Sequence, residues 1–331
     1  MLEIIRILKL SVLPVMLMVT ASGCLKNDWE EKERHENEVV QNYLASNGIT
    51  EEQKTEGGIY YIEEVAGTGL SPMKDDYVVI NYVGRYLEDN SIHETSYDSL
   101  KDEWANADTY LYFVYGPLKF KFGHSIAGLN EGLSLMKEGG KARLILPSDK
   151  AFYDFNPMVY DVELIKVIQD PVEYEDSVLN AYLASRGFDT LTTAYKGIYF
   201  KETFTPDPGD QRTVQTNDTV LFRFTGKLVD GFGSEIKDDR VFDSNTDDPN
   251  PIKLIYGKSE TYSGFMLALP RGLNSALDSM RVGTHATAVL PYTEAFKDGL
   301  FSPVYGYTIV PKVQTVVYDI VVEDIRSLSG K

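Results

Sequence analysis

Cysteine is almost missing from this chain of 331 residues: there is one, so neither an intrachain disulfide nor an all-cysteine metal site can form. Histidine is scarce too, at 4, and neither His35-Glu36 nor His93-Glu94 is followed by the second histidine that a zincin helix needs. No G-x-S-x-G elbow and no phosphate-cradling P-loop occurs. Positive charge is in deficit, with 32 Lys+Arg against 50 Asp+Glu and a net charge of −18, which argues against partners with phosphate backbones. Long apolar runs are lacking as well. The run Leu10 to Thr20 has eleven residues, far short of the roughly 20 that span a bilayer. What is present is an ordinary soluble composition, 43% hydrophobic and 25% charged, in a length that suits roughly two domains. Tyr 22 against Trp 2 fits half-buried β surfaces.

The start of the chain reads as a secretory signal over residues 1–23, with Arg6 and Lys9 before the apolar run and Ala21, Ser22 and Gly23 leading into Cys24. Cys24 stands where a bacterial lipoprotein signal is cut and lipidated, although Ala21 replaces the usual Leu. An ordinary signal peptide cut nearby is the other reading. Lipidation would supply more than the two anchoring signals that stable attachment needs. The expected location is therefore the cell envelope, most simply the outer membrane, with the membrane held through the N-terminal lipid. Residues 24–38 read as a charged, solvated tether that turns helical where Val39, Val40, Tyr43 and Leu44 take up helical spacing.

An internal repeat organises the rest. "NYLASNGI" at 42–49 returns as "AYLASRGF" at 181–188, and "GIYYIEE" from Gly58 returns as "GIYFKET" from Gly197, both offset by 139 residues. Each unit opens with a short amphipathic helix closed by Gly48 or Gly187. Strands follow at Tyr77–Tyr82 and Thr219–Phe224, running into Gly84 and Gly226, then at Leu118–Phe122 and Ile252–Ile255. "GLNEGLSLMKEGG" (128–140) and "GLNSALDSMRVG" (272–283) place Leu129, Leu133 and Met136, or Leu273, Leu277 and Met280, on one helical face. "ARLILP" against "ATAVLP" and "MVYDVELIKV" against "VVYDIVVEDI" complete the units. The plan is α+β, with unit one at 39–169 and unit two at 170–331.

These blocks resemble the FKBP-type peptidyl-prolyl cis-trans isomerases, and the pair resembles the tandem FKBP-like lipoproteins of Gram-negative bacteria. The residues that carry the likeness are "FTGKLVDG" (224–231), "VFDSN" (241–245) and "LPYTEAF" (290–296) in unit two, with "YVGRYLED" (82–89) and "YDVEL" (160–164) in unit one. The resemblance implies two bent antiparallel sheets, each wrapped around a short helix, with an apolar proline pocket between them. It places Phe224, Phe242, Asp243, Phe296 and Tyr318 at the catalytic positions of unit two, and Ile252, Leu254, Leu269, Leu273, Ile309 and Val310 around the substrate. Phe224 and Phe296 stand where the family has tyrosines, and Pro270 has no N–H to offer the substrate.

In unit one the matching positions are Tyr82, His93, Glu94, Leu118, Phe120, Ile126, Leu129, Phe152 and Tyr160, so His93-Glu94 replaces a Phe-Asp pair. Met136 to Asp161 is 25 residues whereas Met280 to Asp319 is 39, so unit one lacks the flap and carries an insertion at Tyr97–Tyr115 instead. A degenerate, wetter pocket is expected there. Neither cofactor nor metal is expected. Asp243, Asn245 and Asp247 mimic three ligands of a calcium loop, but Asp248 and Leu254 fall where its Gly and Glu belong, so an Asx-rich turn is the expectation. Two functions follow from the resemblance. One is an envelope prolyl isomerase and folding factor acting weakly and mainly through unit two on proline-containing polypeptide clients. The alternative is an inactive FKBP-like scaffold for envelope proteins.

Overall fold

A computed structural model describes residues 28–104, 113–188, 194–205, 212–232, 236–257, 269–302 and 307–327. The signal segment and Cys24 lie outside the described residues. Helix α1 (28–47) already runs at residue 28, which corrects the expected tether. The charged run lacks apolar periodicity but is rich in good helix formers, and pairs such as Asp28–Lys32 and Arg34–Glu38 support it at i,i+4 spacing. It is also docked. Glu36 accepts from the backbone N–H of Ser148 at 2.6 Å and from its hydroxyl at 2.8 Å.

Unit one continues with β1 (Tyr60–Val65), β2 (Tyr77–Tyr86), β3 (Ile92–Thr95), β4 (Leu118–Lys121), α2 (Ala127–Leu135), β5 (Lys141–Leu146) and β6 (Met158–Ile168). Unit two has α3 (Pro171–Ser185), β7 (Ala194–Tyr195), β8 (Ile198–Phe204), β9 (Thr219–Asp230), β10 (Lys237–Ser244), β11 (Ile252–Ile255), α4 (Arg271–Asp278), β12 (His285–Leu290), β13 (Leu300–Ser302), β14 (Tyr307–Val310) and β15 (Val316–Arg326). The sheets share one order, β1-β5-β6-β2-β3 with β4 on β2, and β8-β12-β15-β9-β10 with β11 on β9. All of these pairings are antiparallel.

Each sheet is covered on both faces, which is why its long strands are buried along most of their length. On the outer face Val40 and Leu44 of α1 pack on Tyr60, Ile145 and Val159, and Val178, Tyr182 and Leu183 of α3 pack on Val229, Val289 and Val317. On the inner face lie α2 and α4. They sit close because Gly132 and Gly272 face the sheet, where an added Cβ would come within 2.4 Å of Leu144 or 2.7 Å of Leu290. The sequence blocks 128–140 and 272–283 suggest helices that run to Gly139 and Gly283, but both inner helices stop earlier, at Leu135 and Asp278, and Met136 and Met280 follow as fully buried plugs.

The units meet along a polar and aromatic seam. Arg240 of β10 pairs with Asp230 and donates to Pro117 O at 3.0 Å. Phe113 of the unit-one insertion stands edge-on to Tyr307 of β14, ring centres 5.5 Å apart.

Candidate functional site

Backbone register brings the two sites into correspondence. Gly226 of β9 lies between Asp243 of β10 and Tyr318 of β15, as Gly84 of β2 lies between Glu94 of β3 and Tyr160 of β6. The glycine is needed. A Cβ on Gly226 would come within 2.8 Å of the Phe242 ring and 3.1 Å of Tyr318.

In unit two, Phe224, Phe242, Phe296 and Tyr318 converge with Ile252 and Leu254 of β11, Leu273 of α4, and Ile309 and Val310 of β14 in one cluster, with Leu269 packed against it. Phe242 stands edge-on to Tyr318 at 5.8 Å and to Phe296 at 5.9 Å, and Phe224 lies 5.4 Å from Tyr318. Burial pushes the Asp243 carboxyl up to about 6, with the Ser244 backbone N–H pulling the other way. Burial, with the adjacent Asp243, also raises Tyr318 well above an ordinary phenol. Among the described residues the Tyr318 hydroxyl has no hydrogen-bond partner. Pro270 is the N-cap of α4, at the position that Ile126 takes before α2.

Unit one resolves the same positions differently. Glu94 is one methylene longer than Asp243, and its Oε1 accepts from Tyr160 at 2.6 Å while its Oε2 accepts from Tyr82 at 3.4 Å. Both phenols are pushed up, first by burial and then by Glu94. His93 hydrogen bonds through Nδ1 with the Tyr86 hydroxyl at 2.8 Å, and its ring lies 4.8 Å from Phe152. Leu118 and Phe120 of β4, Ile126 and Leu129 line the adjoining core. Phe152 is 41% exposed, whereas Phe296, which shares its cluster with β14, is 9% exposed.

Several residues escaped the sequence. Val114 of the unit-one insertion packs against the unit-two cluster. Only the aromatic density of residues 110–115 could have hinted at it. The 243–248 turn holds no cation site. Arg223 fills it, its Nη1 donating to the carbonyls of Asn245, Thr246 and Asp248, while Asn245 Oδ1 accepts from Phe224 N at 2.8 Å.

Comparison with known proteins agrees with this duplication. Residues 69–165 and 210–323 each match the FKBP-type peptidyl-prolyl cis-trans isomerase family. A probable FKBP-type peptidyl-prolyl cis-trans isomerase FkpA of Neisseria meningitidis is 32% identical over 145 residues, which are 41% of this chain and 46% of that protein. FkpA of Escherichia coli K12 is 27% identical over 160 residues, 46% of this chain and 52% of the relative. The crystal structure of FkpA from Escherichia coli aligns at 24% identity with a TM-score of 0.34, over 48% of this chain and 70% of that one. The chain thus spans about half the length of the curated relatives it matches. With the family matched in two separate stretches that cover well over half of the residues, and one sheet order repeated in both units, the chain belongs to the FKBP-type peptidyl-prolyl cis-trans isomerase family as a tandem member.

Proposed function

We propose that this chain is a peptidyl-prolyl cis-trans isomerase and folding factor of the cell envelope, held to the outer membrane through lipid on Cys24 and acting on proline-containing polypeptides. Its activity resides in unit two and is modest. The observation that carries the reading is the Tyr318 hydroxyl, set in an aromatic and aliphatic cluster without a partner among the described residues, while its counterpart Tyr160 is already held by Glu94.

The chemistry asks little of such a site. Rotation about an X–Pro bond faces a barrier of about 18–20 kcal/mol because twisting breaks amide resonance. A twisted amide has a less polar C–N unit than the planar, hydrated ground state, so a dry apolar pocket favours it. A thousandfold acceleration needs only about 4 kcal/mol. Phe224, Phe242, Phe296 and Leu273 supply the apolar walls, and Tyr318 supplies a donor for a substrate carbonyl. Phe224 and Phe296 contribute no hydroxyl and Pro270 no N–H, which supports a modest rate.

The test is an NMR-exchange or protease-coupled isomerase assay on the full chain carrying Cys24→Ser, with Tyr318→Phe and Phe242→Ala alongside. Tyr318→Phe should lower kcat/KM roughly two- to tenfold, the worth of one hydrogen bond. Phe242→Ala should lower it further, with cooperative melts retained. A parent rate equal to the uncatalysed one would leave the scaffold reading, which those missing donors favour. Anchoring is tested separately by palmitate labelling and membrane fractionation of the parent against Cys24→Ser.

A further inference from the structure

Between the two units lies a cleft of about 960 Å³. Tyr97, Phe113 and Tyr115 of the unit-one insertion form one wall, and Asp239, Arg240 and Val241 of β10 form the other. Successive side chains of a regular strand point to opposite faces, and β10 brings three neighbours to one space because its register with β9 shifts between Lys237 and Arg240 and again between Val241 and Asp243. β10 is an edge strand of its sheet and, among the described residues, pairs with β9 alone. Such an edge presents unpaired N–H and C=O groups to any extended chain that approaches. The corresponding edge in unit one is reached at its end. There the returning insertion donates from Gly116 N to Ser96 O at 2.8 Å, just beyond β3. Among the described residues no such backbone bond reaches β10, which faces the cleft with Val241 47% exposed.

We propose that the cleft binds an extended polypeptide segment, which pairs through its backbone with the free edge of β10 and lays apolar side chains on Tyr97, Phe113 and Tyr115. The occupant follows from continuity. The same strand carries Val241 into the cleft, Phe242 into the unit-two cluster and Asp243 at its border, so a chain paired with β10 is led to the proposed proline pocket. The segment is therefore the part of the substrate that flanks the proline, and this assignment rests on the isomerase reading. Arg240 is committed to Asp230 and Pro117 O, so its own charge is neutralised, while Asp98, Lys237 and Asp239 also border the cleft. Backbone pairing supplies affinity without demanding a sequence.

Two measurements on the full chain with Cys24→Ser test this. First, Val241→Cys carrying a benzophenone is irradiated with reduced, carboxymethylated α-lactalbumin, with Met73→Cys, also well exposed but in unit one, as control. Cross-linking at position 241 alone is expected, and equal labelling at both positions overturns the proposal. Second, Val241→Lys should raise KM for a long unfolded substrate about threefold at unchanged kcat, while a proline tetrapeptide is turned over as by the parent. Loss on both substrates, or on neither, overturns it. Cross-linking at 241 in a chain without isomerase activity would sink the isomerase reading and keep the cleft. Activity without cross-linking would do the reverse.

Discussion

Lys119 Nζ lies 3.1 Å from Glu175 Oε2, and both side chains are buried where the two units meet. The ammonium also donates to Val313 O at 2.7 Å, and Glu175 Oε1 accepts from Thr315 N, so one ion pair ties β4 of unit one to α3 and to the start of β15. Removing one partner of such a pair strands the other charge in a dry seam. Lys119→Met is expected to cost about 3–5 kcal/mol in urea unfolding of the full chain, and the Lys119→Met/Glu175→Leu double variant to recover part of it. A loss below about 1 kcal/mol, the range of exposed pairs, would mean that water reaches the seam.

Lys119 also marks where the sequence stops being legible. In Leu118-Lys119-Phe120-Lys121 the alternation puts both lysines on the solvent face of a half-buried strand. One of them pairs with Asp75 at the surface, while the other is buried by a second unit that no local pattern announces. The duplicated strands and the inner helices were readable because the repeat doubles every local signal, whereas the register that sets Gly84 and Gly226 between their partners was not read. Helix α1 was not readable before Val39, since its docking residue Glu36 meets Ser148, distant in sequence. The hydroxyl bonding at Glu94 was equally out of reach, because it depends on how far a side chain extends between strands. The extra methylene was visible in the sequence, and its consequence was not.

That consequence can be measured. Tyr160 is fully buried, and its hydroxyl depends on Glu94 Oε1. Glu94→Ala should cost about 1–3 kcal/mol, the penalty for a buried polar group without a partner. Tyr160→Phe should cost less than Glu94→Ala, and Tyr82→Phe, whose bond is 3.4 Å long, should be close to neutral. Denaturant melts rank the three, and a costly Tyr82→Phe would contradict the division of labour between the two carboxylate oxygens.

The docked α1 gives a third expectation. If residues 28–38 were only a spacer, Glu36→Ala would leave the melting temperature unchanged. Because Glu36 satisfies both polar groups of Ser148, its loss should destabilise the chain by about 1–2 kcal/mol. Ser148→Ala should cost less, since the backbone N–H remains to be bonded.

Asp243 gives the last expectation, with a sign opposite to that of most carboxylates. Its folded pKa of about 6 lies above the ordinary value of 3.8, so the folded state holds the proton more tightly than the unfolded chain does. The associated stability is fully present below about pH 4, falls as pH rises from about 4 to about 6, and is gone above that. At pH 7 the ionised, partly buried carboxylate therefore weighs on the fold by at most about 3 kcal/mol. Asp243→Asn keeps the shape and the acceptor for Ser244 N–H but cannot ionise. It should be more stable than the parent at pH 7 and equal to it near pH 4, and the difference between their unfolding free energies should open across that window. If the carboxylate serves the substrate, the same variant should lose an inflection near pH 6 in the isomerase rate. A stability difference that does not change with pH would place Asp243 in water rather than at the border of a dry pocket.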